Sequence, residues 1–339
     1  MDSPAPFLSQ PLSLPGCSTL APSASLASGG DNGTTLTEFV LLGFSDFGSL
    51  QGHLFWGVLC IYLVTLLGNF MIILLTLADS TLRCPMYFFL RHFSLAEILY
   101  TATIVPRMLA DLLSSCPAIS RASCFIQLYF FALFGIAECC LLTAMAYDRY
   151  AAICRPLHYT TLMNQRACAS MVAASYLMGI ITGTTHSVFI FTLPFRGSNV
   201  IHHFLCDILP VLRLASASTF WGEVGNLAVT VTFIMVPFAL IVASYACILA
   251  TILRVATSQG RRKVFSTCSS HLFVVILFFG TATIAYMKPQ AGSFGETDQI
   301  LAIFYTVVTP MCNPFVYTLR NKEVTGAMQR LIKRYLWSP

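Results

Sequence analysis

The fold class predicted is an all-α membrane protein: a seven-transmembrane helix bundle with a short cytoplasmic amphipathic eighth helix. Three observations predict it. First, hydrophobic residues make up 56% of the 339 and charged residues only 10%, with a mean hydropathy of +0.75. A soluble domain carries roughly 25% charged residues, so this chain lacks the polar side chains to cover a water-facing surface. The same figures exclude a disordered, collagen-like or coiled-coil chain. Second, seven apolar stretches reach the length of about 20 residues that crosses a bilayer. Third, the 19 basic residues are distributed unevenly between the connections.

Residues 1 to about 50 are rich in Ser, Pro, Gly and Leu and hold no Lys or Arg. Without a basic region ahead of an apolar core, they do not read as a cleavable signal peptide. They are expected to form an extracellular flexible N-terminus (1–50), with Asn32-Gly33-Thr34 as a glycosylation acceptor. The spans follow at about 55–78, 85–113, 122–154, 167–191, 224–255, 264–287 and 299–319, inside a bundle of 51–320. Pro, Glu or Asp interrupts the second, third and seventh, which weakens their hydropathy signal. A cytoplasmic segment, 321–339, closes the chain. In it Leu331, Ile332, Tyr335 and Leu336 recur at helical spacing beside Arg330, Lys333 and Arg334, the pattern of a helix lying in the interface.

Fourteen of the 19 basic residues fall on one side of this arrangement, among them Arg149, Arg261, Arg262, Lys263 and Arg330. The other five are Arg107, Arg121, Arg196, Arg213 and Lys288. Basic loops stay cytoplasmic, which puts the N-terminus outside and the C-terminus in the cytoplasm. No internal repeat is visible, which argues against the common transporter folds. Most of the 13 cysteines, such as Cys60, Cys139, Cys140, Cys247, Cys268 and Cys312, lie in apolar runs and serve as small hydrophobes.

Several motifs are more specific than composition. Met145-Ala-Tyr-Asp-Arg-Tyr-Ala-Ala-Ile-Cys154 ends the third span. Leu82-Arg-Cys-Pro-Met-Tyr-Phe-Phe-Leu90 opens the second, and Lys263-Val-Phe-Ser-Thr-Cys-Ser-Ser-His271 opens the sixth. Pro310-Met-Cys-Asn-Pro-Phe-Val-Tyr-Thr-Leu-Arg-Asn321 ends the seventh, and Gly68-Asn69 and Ser244-Tyr245 sit in the first and fifth. From about Thr37 to Glu323 the chain resembles the odorant receptors, rhodopsin-like receptors coupled to G proteins. Ala151 stands where that family has Val.

Some of the physics is legible without the resemblance. Arg149 is a permanent cation at a helix end beside its own counter-ion Asp148. Asn313-Pro314 interrupts helical hydrogen bonding in the seventh span; read from composition alone, a packing kink is the favoured reading. The resemblance implies that Asp148, Arg149, Tyr150, Tyr245, Asn313, Pro314 and Tyr317 form the activation switch and G-protein cleft. It also implies a disulfide between Cys124 and Cys206. The family's second pair of loop cysteines is absent, with Arg196 and Ser216 in their places, so a less ordered loop is expected. Cys17 and Cys116 are not expected to pair.

Glu97 and Glu138 are the acids deepest in the spans, where ionisable residues are functional candidates. Two neighbouring carboxylates require a shared proton or a bridging cation. Two readings stand: a bound sodium ion, or a neutral hydrogen-bonded pair. His202, His203, Cys206 and Asp207 fit a metal site loosely, but a polar loop around a structural cysteine is favoured. His186 and His271 are expected to be satisfied core histidines.

A ligand pocket is argued from position. Phe131, Gly135, Ile136 and Cys139 share a face of the third span. Thr230 and Phe233 on the fifth, Phe279, Thr283 and Tyr286 on the sixth, and Thr306 on the seventh take similar places. All are neutral, which suits a small, mostly hydrophobic ligand. Phe279 replaces a family Tyr, removing a hydroxyl from the expected pocket floor, and Tyr176 replaces a family Trp as a packing change. The resemblance therefore implies a receptor in the plasma membrane for a small volatile odorant, signalling through a stimulatory olfactory G protein to raise cyclic AMP. It is not an enzyme, needs no cofactor beyond the sodium ion considered above, and has no nucleic-acid partner. A receptor-like protein that no longer signals, and more remotely a transporter, are the alternatives.

Overall fold

The structure, a computed structural model, describes residues 36–44, 50–254, 258–287, 296–319 and 322–336. Asn32, Cys17 and the side chains of Arg261, Arg262 and Lys263 lie outside the described residues. The chain forms a bundle of seven helices: α1 (Gln51–Ala78), α2 (Pro85–Leu112), α3 (Arg121–Cys154), α4 (Gln165–Thr192), α5 (Phe220–Leu253), α6 (Ser258–Met287) and α7 (296–319). Six are long and apolar enough to cross a membrane, and α6 contributes the shorter apolar stretch His271–Met287. A further helix, α8 (Lys322–Leu336), follows.

Local chemistry sets several boundaries. Pro85 occupies the first turn of α2, where its missing N–H costs nothing. The Ser120 hydroxyl accepts from the Ser123 N–H at 3.1 Å and caps α3; Asn164 caps α4 by accepting from Ala167 at 3.0 Å. One π-helical turn interrupts α5 at Val231–Met235 and another interrupts α7 at Phe304–Val308. Each inserts one residue into the helical repeat and turns the side chains beyond it to a new face.

The bundle is apolar outward as well as inward. On α1, Leu63, Leu67, Phe70, Leu74 and Leu77 are exposed, whereas Thr65, Asn69 and Thr76 are buried. In water this arrangement would be costly; against lipid it is what a spanning helix needs. The protein is a multi-pass membrane protein. Where α1 meets α7, a β-carbon on Gly68 would lie 2.6 Å from Pro314 Cβ, so only glycine lets the proline of α7 seat against α1. At the same end Arg330 of α8 donates from Nε to Asp79 at 2.9 Å and from Nη2 to Thr81 at 2.9 Å. The Tyr87 hydroxyl of α2 donates to Glu323 of α8 at 2.8 Å. The hydroxyl and backbone N–H of Thr81, and then Arg330, hold the Asp79 carboxyl down at about 2.

The opposite end carries a small sheet. Its central strand is β1 (Glu38–Leu41), antiparallel to β2 (Ala118–Ser120) and parallel to β3 (Val200–Ile201). Val40 pairs with Ala118 on one side and Val200 on the other. Residues 36–44 thus depart from the flexible, exposed N-terminus expected for 1–50. Phe39, Val40, Leu41 and Leu42 are buried, and Phe44 stacks on Phe204 with ring centroids 5.3 Å apart. Their unbroken apolar run is what a strand covered on both faces requires.

Candidate functional site

Beneath this cap lies a cavity of about 80 Å³. Phe131, Ala132, Gly135, Ile136 and Cys139 line it from α3, and Thr230 and Ile234 from α5. Phe278, Ala282 and Tyr286 of α6 and Tyr305 of α7 close the far wall; Ile208 of the loop between α4 and α5 forms the roof. Tyr100 of α2, Thr182 and His186 of α4, and Asn226 and Val229 of α5 complete it.

Of the side chains expected at a pocket, Phe131, Gly135, Ile136, Cys139, Thr230 and Tyr286 line this cavity, and Phe233, Phe279, Thr283 and Thr306 do not. The departures have a structural cause. Phe233 and Thr306 sit within the two π-helical turns, whose extra residue brings Ile234 and Tyr305 to the cavity instead. Thr306 is buried and donates to the Ala302 carbonyl at 2.6 Å. On α6 the lining face is Phe278, Ala282 and Tyr286, one position before Phe279 and Thr283. Phe279 is wholly buried, stacked on Phe238 with centroids 5.9 Å apart. The hydroxyl missing at that position is therefore absent from the core, not from the cavity floor.

The roof is fixed from several directions. Cys206 is disulfide-bonded to Cys124 of α3, with Cα atoms 5.6 Å apart. The Cys206 N–H donates to Gln127 Oε1 at 2.9 Å, and Gln127 Nε2 donates to the Thr103 carbonyl at 3.2 Å. Asp207 caps the short helix Ile208–Leu212 and accepts from the Tyr286 hydroxyl at 3.1 and 3.2 Å. Because Cys206 is in the disulfide, the His202, His203, Cys206 and Asp207 set does not assemble as a metal site. No group of three or more His, Cys, Asp or Glu that could hold a metal occurs among the described residues. Contrary to expectation, Cys116 is disulfide-bonded. Arg196 and Ser216 remain neighbours: Ser216 Oγ donates to the Arg196 carbonyl at 3.2 Å, and Phe195 bridges to Ala215. Hydrogen bonds hold the loop together at the point where a second disulfide is missing.

Burial pushes the Asp207 carboxyl up from 3.8 to about 6, against the opposing hydrogen bonds from Ile208, Tyr286 and Tyr305. A carboxyl with a raised folded-state value keeps its proton in the fold where the unfolded chain has lost it. The cap is therefore most stable below pH ~4, weakens as pH rises to about 6, and changes little above that, for a total of about 3 kcal/mol. Thermal melts across this range should show Asp207→Asn removing that component of the slope. An unchanged slope in the variant would reject the assignment.

At the far end of α3 the motif residues assemble. Tyr245 of α5 and His271 of α6 share a hydrogen bond of 2.7 Å. Arg149 acts electrostatically on Tyr245, His271 and Tyr317, and its Nε is buried without a partner. Tyr317 is buried with a free hydroxyl against Phe93, at a centroid distance of 6.3 Å. Tyr150 stacks on Tyr147. The Arg149 charge acts on its neighbour Asp148, as expected of a counter-ion, but without direct contact. Asp148 accepts from the Tyr159 hydroxyl at 2.9 Å, and no ion pair joins it to Arg149 among the described residues. Consecutive residues on a helix point about 100° apart, so the Asp148 side chain leaves the face that Arg149 uses.

Midway between the two ends, Glu97 of α2 accepts from Asn69 of α1 at 3.2 Å and from Asn313 of α7. Glu138 of α3 is fully buried, and neither of its oxygens has a partner. Ser94 Oγ, Thr309 Oγ1 and Asn313 Oδ1 are likewise buried and unpaired.

The family model described as olfactory receptor matches residues 58–335. The chain is 81% identical over 311 residues to mouse olfactory receptor 10P22, covering 92% of this chain and all of the relative. The chain belongs to the olfactory receptor family. It is 61% identical to human olfactory receptor 10P1 (91% of this chain, 99% of the relative) and 49% to human olfactory receptor 10C1 (89% and 97%). The olfactory receptor is thus a G-protein-coupled receptor of the sensory kind and not an enzyme. The α4 wall of this receptor's cavity carries no hydropathy or motif signal: His186, expected as a satisfied core histidine, lines the cavity with Nδ1 unpaired.

Proposed function

We propose that this receptor binds a small, volatile, mostly hydrophobic ligand in the cavity beneath the cap and activates a stimulatory olfactory G protein at the Arg149 end, raising cyclic AMP. The observation that carries the reading is the pairing of a nearly apolar, disulfide-roofed cavity at one end of α3 with a half-buried arginine, Arg149, whose Nε has no partner, at the other. A ligand that prefers one arrangement of α6 and α7 against α3 shifts the population toward it. Tyr286 and Tyr305 join cavity to roof, and Tyr245 and His271 join α5 to α6 beside Arg149, so both sites report on the same helices. The basic residues favour an extracellular N-terminus with Asn32 glycosylated, a cytoplasmic C-terminus, residence in the plasma membrane, and α8 lying along the inner lipid interface.

The acids between the two ends suit a sodium ion. Glu138 supplies two free oxygens, and Ser94, Thr309 and Asn313 supply neutral ones, the hard-oxygen donors such a cation takes. When bound, it would neutralise charge between α2, α3 and α7. The alternative of a receptor that no longer signals loses one support, since Phe279 packs in the core.

A cyclic AMP reporter in cells carrying the olfactory G protein, challenged with a broad odorant panel, tests the reading. At least one small apolar odorant is expected to raise the signal. Receptor at the cell surface with no response to any member of the panel would overturn it.

A further inference from the structure

The α4–α5 wall of the cavity differs chemically from the rest. Most of the lining is aromatic or aliphatic, and the Tyr286 hydroxyl is spent on Asp207, so that tyrosine offers the cavity its ring. The Thr230 hydroxyl is likewise spent, on the Asn226 carbonyl at 2.9 Å. His186 and Asn226 are different. His186 is 8% exposed, and its ring is hydrogen-bonded to the Gly225 backbone while Nδ1 has no partner. With the ring proton on Nε2, the unpartnered Nδ1 is a bare acceptor. Asn226 is 5% exposed, lies one residue beyond Gly225 and lines the cavity. An amide carries both donor and acceptor.

We propose that His186 and Asn226 are the specificity-determining residues of this cavity, holding the hydroxyl of a small aliphatic or aromatic alcohol. The proposal rests on the cavity being the ligand site. An alcohol O–H donates to His186 Nδ1, and its oxygen accepts from the Asn226 amide. Ethers, esters and ketones can accept but cannot donate, and bound there they leave Nδ1 desolvated and unpaired. Sites built to bond a hydroxyl reject analogues without it more strongly than apolar pockets reject a change of size.

The test uses the purified full-length receptor. The probes are the straight-chain primary alcohols from pentanol to decanol and benzyl alcohol, each beside its methyl ether. Binding is read as ligand-induced thermal stabilisation, so a receptor that binds without signalling is still scored. An alcohol is expected to stabilise the receptor at roughly tenfold lower concentration than its ether. His186→Phe and Asn226→Leu should erase that preference, and His186→Gln, which keeps an acceptor, should retain part of it. Equal binding of alcohols and ethers, a preference that survives His186→Phe, or no binding by any alcohol would each overturn the proposal. Failure of the underlying reading looks different. Gly135→Leu adds bulk to the cavity, and its β-carbon would lie 3.6 Å from Tyr100, in ordinary contact. Probe binding that survives this substitution places the ligand elsewhere.

Discussion

Cells expressing the Arg149→Ala variant should carry receptor at the surface and give no cyclic AMP response to an odorant that activates the parent, a loss of at least roughly 100-fold. The size of the effect follows from what the guanidinium does not do. It makes no ion pair among the described residues, because Asp148 is turned to Tyr159, and its Nε is buried unpaired. Removing a charge held in a strong internal pair would leave a partner stranded and damage the fold. No direct ion pair is broken here and Asp148 keeps its bond from Tyr159, so the bundle should persist. What disappears is the permanent cation at the end of α3, beside Tyr245, Tyr317 and His271, which a G protein would engage with its own acceptors. Dose–response curves in the reporter cells, normalised to surface receptor, measure it. A response retained within a few-fold of the parent would remove Arg149 from the coupling site.

Cys206→Ser is the second large effect. The disulfide closes a sequence separation of 82 residues, and a loop of that length constrains the unfolded chain by about 4–5 kcal/mol. That is a large share of the 5–15 kcal/mol typical of a domain. The local losses add to it. Gln127 loses the fixed Cys206 N–H, and Asp207, next along the chain, loses its hold on Tyr286 and with it the roof of the cavity. Surface receptor, counted by flow cytometry, should fall to about a tenth or less of the parent. Cys247→Ser, at an exposed free cysteine of α5, should leave surface levels unchanged. Equal levels for both variants would mean that the bond does not hold the cap.

The bundle was legible because lipid imposes one simple rule: about 20 apolar residues per span, which hydropathy reads directly. The identities of the cavity residues on α3 were legible for a related reason, since an unbroken helix carries a face at fixed spacing from Phe131 through Gly135 to Cys139. That logic failed where the helix is not regular. Single π-helical turns in α5 and α7 moved the lining from Phe233 to Ile234 and from Thr306 to Tyr305, and no residue type marks such a turn. On α6 an error of one residue exchanged Phe278 and Ala282 for Phe279 and Thr283, because that helix is apolar on neighbouring faces and offers no polar stripe to set its phase. The four-residue strand β1 was lost among Ser, Pro and Gly, where a short apolar run has no periodicity to read. Adjacency in sequence gave the electrostatic neighbour of Arg149 but not the Tyr159 hydroxyl that Asp148 bonds, a contact 11 residues away.

The central position of β1 also bears on how the molecule is made. Val40 is synthesised early, but its parallel neighbour Val200 emerges only after four helices have been threaded into the membrane. Until then β1 can pair only with β2, and its other edge has neither strand nor loop to cover it. The opening segment must wait, open to chaperones and to aggregation, for a loop that arrives late in translation. Slow release of this receptor from the compartment where it folds would follow from strand order alone, with every spanning helix already in place.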